Sequence, residues 1–174
     1  MTGALAAASL VSTGLCVGCL AYLHLEASGY SPLADAVSAY GTGEYAAWYR
    51  AQTTCAGIAA ALLAGALRHP GHVLALLVVF ALARLAITIA PMDTHLVAHW
   101  LLAVAAFGSI AAAGIRLKPA QHGLPPLGWA MLACLAATVV ARRSPPLRCW
   151  FGLAERGFYV AMLAWLALVA ARLV

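Results

Sequence analysis

Six apolar stretches, each near the length that crosses a bilayer, constrain this 174-residue chain more than any other feature. They run over about 3–25, 46–68, 72–91, 96–116, 124–141 and 152–173, against the roughly 20 apolar residues a spanning helix needs. Breakers stand between them: Arg68-His69-Pro70-Gly71, Pro91, Lys118-Pro119 and Arg142-Arg143-Ser144-Pro145-Pro146. In hydrocarbon a helix satisfies its backbone groups within its own segment. The pattern predicts one all-α domain over 1–174, an integral membrane bundle of six transmembrane helices, multi-pass in the cell membrane.

Composition points the same way. Hydrophobic residues make up 65% of the chain and charged ones 9%, where a soluble domain carries about 25% charged residues. The net charge of +5 comes from nine Arg and one Lys against five acids. The basic residues flank apolar runs, Arg84 excepted, and form no stripe that would track a phosphate backbone, which excludes a nucleic-acid partner. The expected partners are the lipid bilayer and an amphiphilic small molecule. Cys16, Cys19, Cys55 and Cys134 fall inside apolar runs, where Cys behaves as a small hydrophobe. The first 25 residues lack the positive flank of a signal peptide, so they read as a retained helix.

The connection 26–45, EASGYSPLADAVSAYGTGEY, is the longest. Ser31-Pro32 reads as an N-cap and first helical position, and Gly41 as a stop. A short interfacial helix over about 32–40, lying on the mouth of the bundle, is expected. Two rows of small residues, Gly57/Ala61/Gly65 and Ala105/Ser109/Ala113, offer close helix contact in lipid.

An up-and-down bundle places the connections after the first, third and fifth helices on one side. That side then holds Glu26, Asp35, Glu44, Asp93 and Glu155, every acid in the chain, together with Tyr30, Tyr40, Tyr45, Trp48, Tyr49, Trp150 and Phe151. Basic residues near the helix ends number four on the plain side and five on the acidic side, which leaves the orientation open.

The most polar stretch is PMDTHLVAHW, 91–100. Asp93 is placed to cap the fourth helix. His95 and His99, four apart, share a helix face, and with Asp93 they suit a metal ion. His24 at the end of the first helix, paired with His99, offers a haem-ligating alternative. A third reading makes His99 a hydrogen-bonding group inside the bundle. Arg84 lies about 10 Å into the membrane from Pro91 at 1.5 Å per residue. A charge at that depth faces a partner or a wet cavity, and Glu155 and Asp93 are the nearest expectations. Glu155 and Arg156 open the last helix, while Ser38 and Tyr40 carry hydroxyls to the same mouth.

HLEASGYSPLADAVSAYG after the first helix, APMDTHLVAHW before the fourth and GLAERGFYVAMLAWLALVAARL at the end together resemble the bacterial membrane protein family catalogued as domain of unknown function 998. The resemblance covers about residue 5 to the end. It implies functional roles for Ser38, Tyr40, Pro91, Asp93, His99 and Arg156. His95 has no counterpart in the family pattern, and Glu155 stands where Gln is frequent. The family supplies no reaction.

Two functions fit these residues. In one, Asp93 and His99 do acid–base or metal chemistry on a lipid or isoprenoid-like amphiphile, with Ser38, Tyr40, Arg84, Glu155 and Arg156 binding it. An Arg among Arg84, Arg143 and Arg156 would then hold an anionic head group. In the other, the same residues are a structural polar network in a non-catalytic partner, sensor or small carrier.

Overall fold

In a computed structural model the described residues are 2–26, 29–67, 71–119 and 122–174. They form six α-helices: α1 Thr2–Glu26, α2 Ala46–Leu67, α3 His72–Ile87, α4 Leu96–Arg116, α5 Pro125–Arg143 and α6 Phe151–Ala171. The expected all-α bundle is therefore present. Arg68, His69 and Pro70, expected to end the second helix, lie outside the described residues. Each helix packs on its neighbours in sequence, and α6 returns to α1 to close a ring.

Among the described residues, four segments are long and apolar enough to cross a membrane: α1, α4, α5, and α6 with its lead-in. The other two helices fall short for identifiable reasons. Helix α3 has 16 residues, since the chain leaves the α-helix at Thr88 and not at Pro91. A residue before proline is pushed out of the α region, and the turn tightens through Ala90. Helix α2 is long enough, but Arg50, Gln52, Thr53 and Thr54 dilute its apolar character.

Polar and small side chains bring the helices together. Ser9 and Ser12 of α1 donate to the Ala59 and Cys55 carbonyls of α2, each at 2.8 Å. A Cβ at Gly57 would lie 3.1 Å from the Ala81 carbonyl and 3.3 Å from Arg84 Cβ. This glycine lets α2 close on α3 at the level of Arg84. Ala61 and Gly65 of the same row are exposed, so only one of the three serves that contact. In the α4 row, Ser109 and Ala113 are buried.

The expected interfacial helix over 32–40 is instead a turn followed by two short 3-10 segments, Val37–Gly41 and Gly43–Tyr45. The start is capped as expected. Ala34 N–H donates to Ser31 Oγ at 3.3 Å, and Ser31 N–H to Asp35 Oδ2 at 2.7 Å. Ala36 then turns extended, because a tertiary bond takes the next amide: Val37 N–H donates to Glu155 of α6 at 2.8 Å. Leu153 N–H reaches back to the Leu33 carbonyl at 3.0 Å. The absence of a side chain at Gly152 permits this contact, since a Cβ there would stand 2.5 Å from the Asp35 carbonyl. The segment thus forms a lid seated on the start of α6.

Candidate functional site

Beneath this lid a cavity of about 130 Å³ lies between α3, α4, α5 and α6. Its upper and inner walls carry Ser38, Tyr49, Arg84, His99, Glu155 and Tyr159. Its outer wall is Trp100, Ala103, Val104 and Phe107 of α4 with Leu135, Thr138 and Val139 of α5. Val104 and Val139 are also exposed on the outer surface, so the cavity opens sideways through the cleft between α4 and α5.

Arg84 stands on the inner wall. It is fully buried, and its partners are uncharged: Tyr159 Oη at 3.1 Å, Gln52 Oε1 at 3.0 Å and Thr53 Oγ1 at 3.1 Å. Its guanidinium carbon also lies 5.5 Å from the Tyr159 ring centre. The Nε–H has no hydrogen-bond partner. The expected ion pair with Glu155 or Asp93 is therefore replaced by a cage of neutral dipoles. A guanidinium is weakly hydrated and presents its donors in a fixed plane, which suits such a cage.

Glu155 is buried and spends one carboxylate oxygen on the Val37 amide. His99 is buried, with Nδ1 2.9 Å from the Ala90 carbonyl. A carbonyl only accepts, so Nδ1 carries the hydrogen and Nε2 is left as the acceptor. One bond thus ties the last turn after α3 to the start of α4 and fixes which nitrogen serves the cavity. Ser38 lines the cavity and touches Met92 Sδ at 3.7 Å.

The remaining expected residues lie elsewhere. Asp93 and His95 are exposed, and neither lines the cavity. His95, not Asp93, occupies the N-cap of α4, without a side-chain cap bond. Asp93, His95 and His99 are not brought together, and no group of three His, Cys, Asp or Glu suited to a metal ion occurs among the described residues.

Arg156 belongs to a second cluster on the other side of α6. Its Nε donates to His24 Nε2 at 2.7 Å, Nη1 to the Asp35 and Gly152 carbonyls at 2.7 and 3.1 Å, and Nη2 to Tyr40 Oη at 3.2 Å. His24 Nδ1 bonds the Leu20 carbonyl at 2.6 Å. Both His24 nitrogens are thus engaged, which removes the lone pair a haem iron would need. Arg156, Tyr40 and His24 clamp the lid to α1 and α6.

Four contributors were not legible as site residues: Gln52, Thr53, Tyr159 and Arg142. The Gln-Thr pair inside an Ala-rich helix was the one available signal. Arg142, at the end of α5, lies with its guanidinium carbon 3.7 Å from the Trp100 ring centre, across the top of the α4–α5 cleft.

No curated protein and no solved structure matches the chain. The model of a family described as a protein of unknown function, DUF998, matches residues 10–172. That is nearly the whole chain, and the chain belongs to this family.

Proposed function

We propose that this chain is a multi-pass protein of the cell membrane, with all six helices within the bilayer, that takes an amphiphile from the lipid phase into the cavity under the lid. The observation carrying this reading is the cavity's polarity. Its inner end bears Ser38, His99, Glu155 and Tyr159, while its side opening, at Val104 and Val139, is apolar and lies on the outer surface of the bundle. Size limits what can enter. An apolar cavity of about 150 Å³ holds a benzene-sized group, so this one accommodates the polar end and first few carbons. The rest of the chain would lie in the α4–α5 cleft. The polar end donates to His99 Nε2, the acceptor that the Ala90 bond leaves available. His99 is then the residue positioned for proton transfer, with Asp93 outside the cavity.

Photolabelling of the detergent-purified protein with a diazirine-bearing fatty alcohol tests this. Adducts are expected on Ala103, Val104 and Leu135, and Thr138→Trp, which fills the cleft, should abolish them without lowering thermal stability. Adducts spread evenly over the outer helix faces, unchanged by Thr138→Trp, would sink the reading.

One observation favours a purely structural role for the inner polar groups: Arg84 is already bonded to three neutral partners. On that reading Arg84→Met disrupts folding and no variant changes labelling. Loss of label in a folded Thr138→Trp protein separates the two.

A further inference from the structure

The outer surface beside the cleft carries an apolar groove with a cation at its head. Leu96, Val97, Leu101 and Val104 of α4 form it with Trp100, and Arg142 of α5 stands at its top. Val97, Leu101 and Val104 are 63–72% exposed and follow one another at i, i+4 and i+7, a single helix stripe. The stripe runs from the first turn of α4 toward the middle of the helix, the direction in which a lipid chain would hang from a head group held near the α4 start.

Arg142 is held in an unusual way. Its guanidinium face rests on the Trp100 ring, yet none of its N–H groups meets an acceptor among the described residues. Stacking uses the face of the plane and leaves the N–H edge open, the edge that matches a phosphate oxygen pair. The chain's acids do not supply that acceptor. Glu155 bonds Val37 and Asp35 bonds Ser31, and no ion pair to Glu26, Glu44 or Asp93 is formed.

We infer that this groove is a binding site for one anionic glycerophospholipid, with the phosphate on the Arg142 edge and an acyl chain along Val97, Leu101 and Val104. The site adjoins the cavity on the outer face of α4 and stands whether or not the cavity binds an amphiphile. A zwitterionic choline head fits less well, because its ammonium group would meet Arg142. The groove also borders the cleft through Trp100, Val104 and Arg142, which line both, so its lipid sits at the cavity's side opening.

Native mass spectrometry of the full chain from micelles holding equal phosphatidylglycerol and phosphatidylcholine of identical chains tests this. The protein should retain one phosphatidylglycerol in preference to phosphatidylcholine, by roughly fivefold for one interfacial Arg. Arg142→Ala should bring the ratio near one. Leu101→Ser should lower retention of both lipids. Arg172→Ala, at the opposite end of the bundle, should change neither. Arg142→Gln, which keeps the length and loses the charge, serves as a second variant and should also bring the ratio near one. A wild-type ratio near one overturns the inference, and so does an unchanged preference in folded Arg142→Ala or Arg142→Gln protein. Neither result touches the photolabelling of the cavity.

Discussion

The carboxylate of Glu155 accepts the backbone N–H of Val37 at 2.8 Å, joining two residues 118 positions apart. This bond holds the lid on the bundle and forms part of the cavity wall. Glu155→Gln retains an acceptor of the same reach, so thermal unfolding in detergent should change by no more than about 1 kcal/mol. Glu155→Leu orphans a buried amide and should cost about 1–3 kcal/mol. Equal stability of the two variants would remove the lid bond from the account.

Arg84 and Gln52 should be energetically coupled. Their 3.0 Å bond is charge-assisted and buried. A double-mutant cycle with Arg84→Met and Gln52→Leu should give a coupling of about 1.5–3 kcal/mol in the stability of the bundle. Arg84→Lys should not restore the wild type, since an ammonium cannot reproduce the planar fork that meets Tyr159, Gln52 and Thr53 together. A coupling near zero would mean the cage is geometric and not energetic.

His99 and Asp93 should separate on mutation, although they stand in one short motif. His99→Ala leaves the Ala90 carbonyl without its partner and should cost about 1–3 kcal/mol, with faster amide exchange over residues 88–90. Asp93→Asn, at an exposed position, should move stability by no more than about 0.5 kcal/mol. Large destabilisation by Asp93→Asn would show a tertiary partner for that carboxylate and return it to the site.

Gly152→Ala places a methyl group 2.5 Å from the Asp35 carbonyl and 2.8 Å from that of Pro32. Both are backbone atoms and cannot swing aside. The lid should lift, giving faster proteolysis between residues 31 and 45 with the helices intact. A cleavage pattern matching wild type would show that the lid accommodates the methyl.

Much of the architecture was readable from local pattern. Helix α4 occupies its expected bounds, 96–116, because Pro91 and an uninterrupted apolar run define both ends. The lid departs from the expected helix although Ser31, Pro32 and Asp35 do form the expected start. The amide that would continue it is taken by Glu155, a partner that no local pattern shows. Asp93, His95 and His99 do not come together for a related reason. Spacing of four residues puts His95 and His99 on one face only where both are helical, and the helix begins at Leu96.

Periodicity and breaker positions determined that this chain is a helical bundle with its acids, and a cluster of aromatic residues, at one end, since those properties depend on neighbours in sequence. Tertiary structure alone decided which polar groups share the cavity and which clamp the lid. Glu155 and Arg156 are adjacent in sequence, yet successive residues on a helix point about 100° apart. One faces the cavity with His99, and the other faces His24 and Tyr40. The partners that satisfy Arg84 come from two other helices, and only the close approach at Gly57 brings α2 within reach.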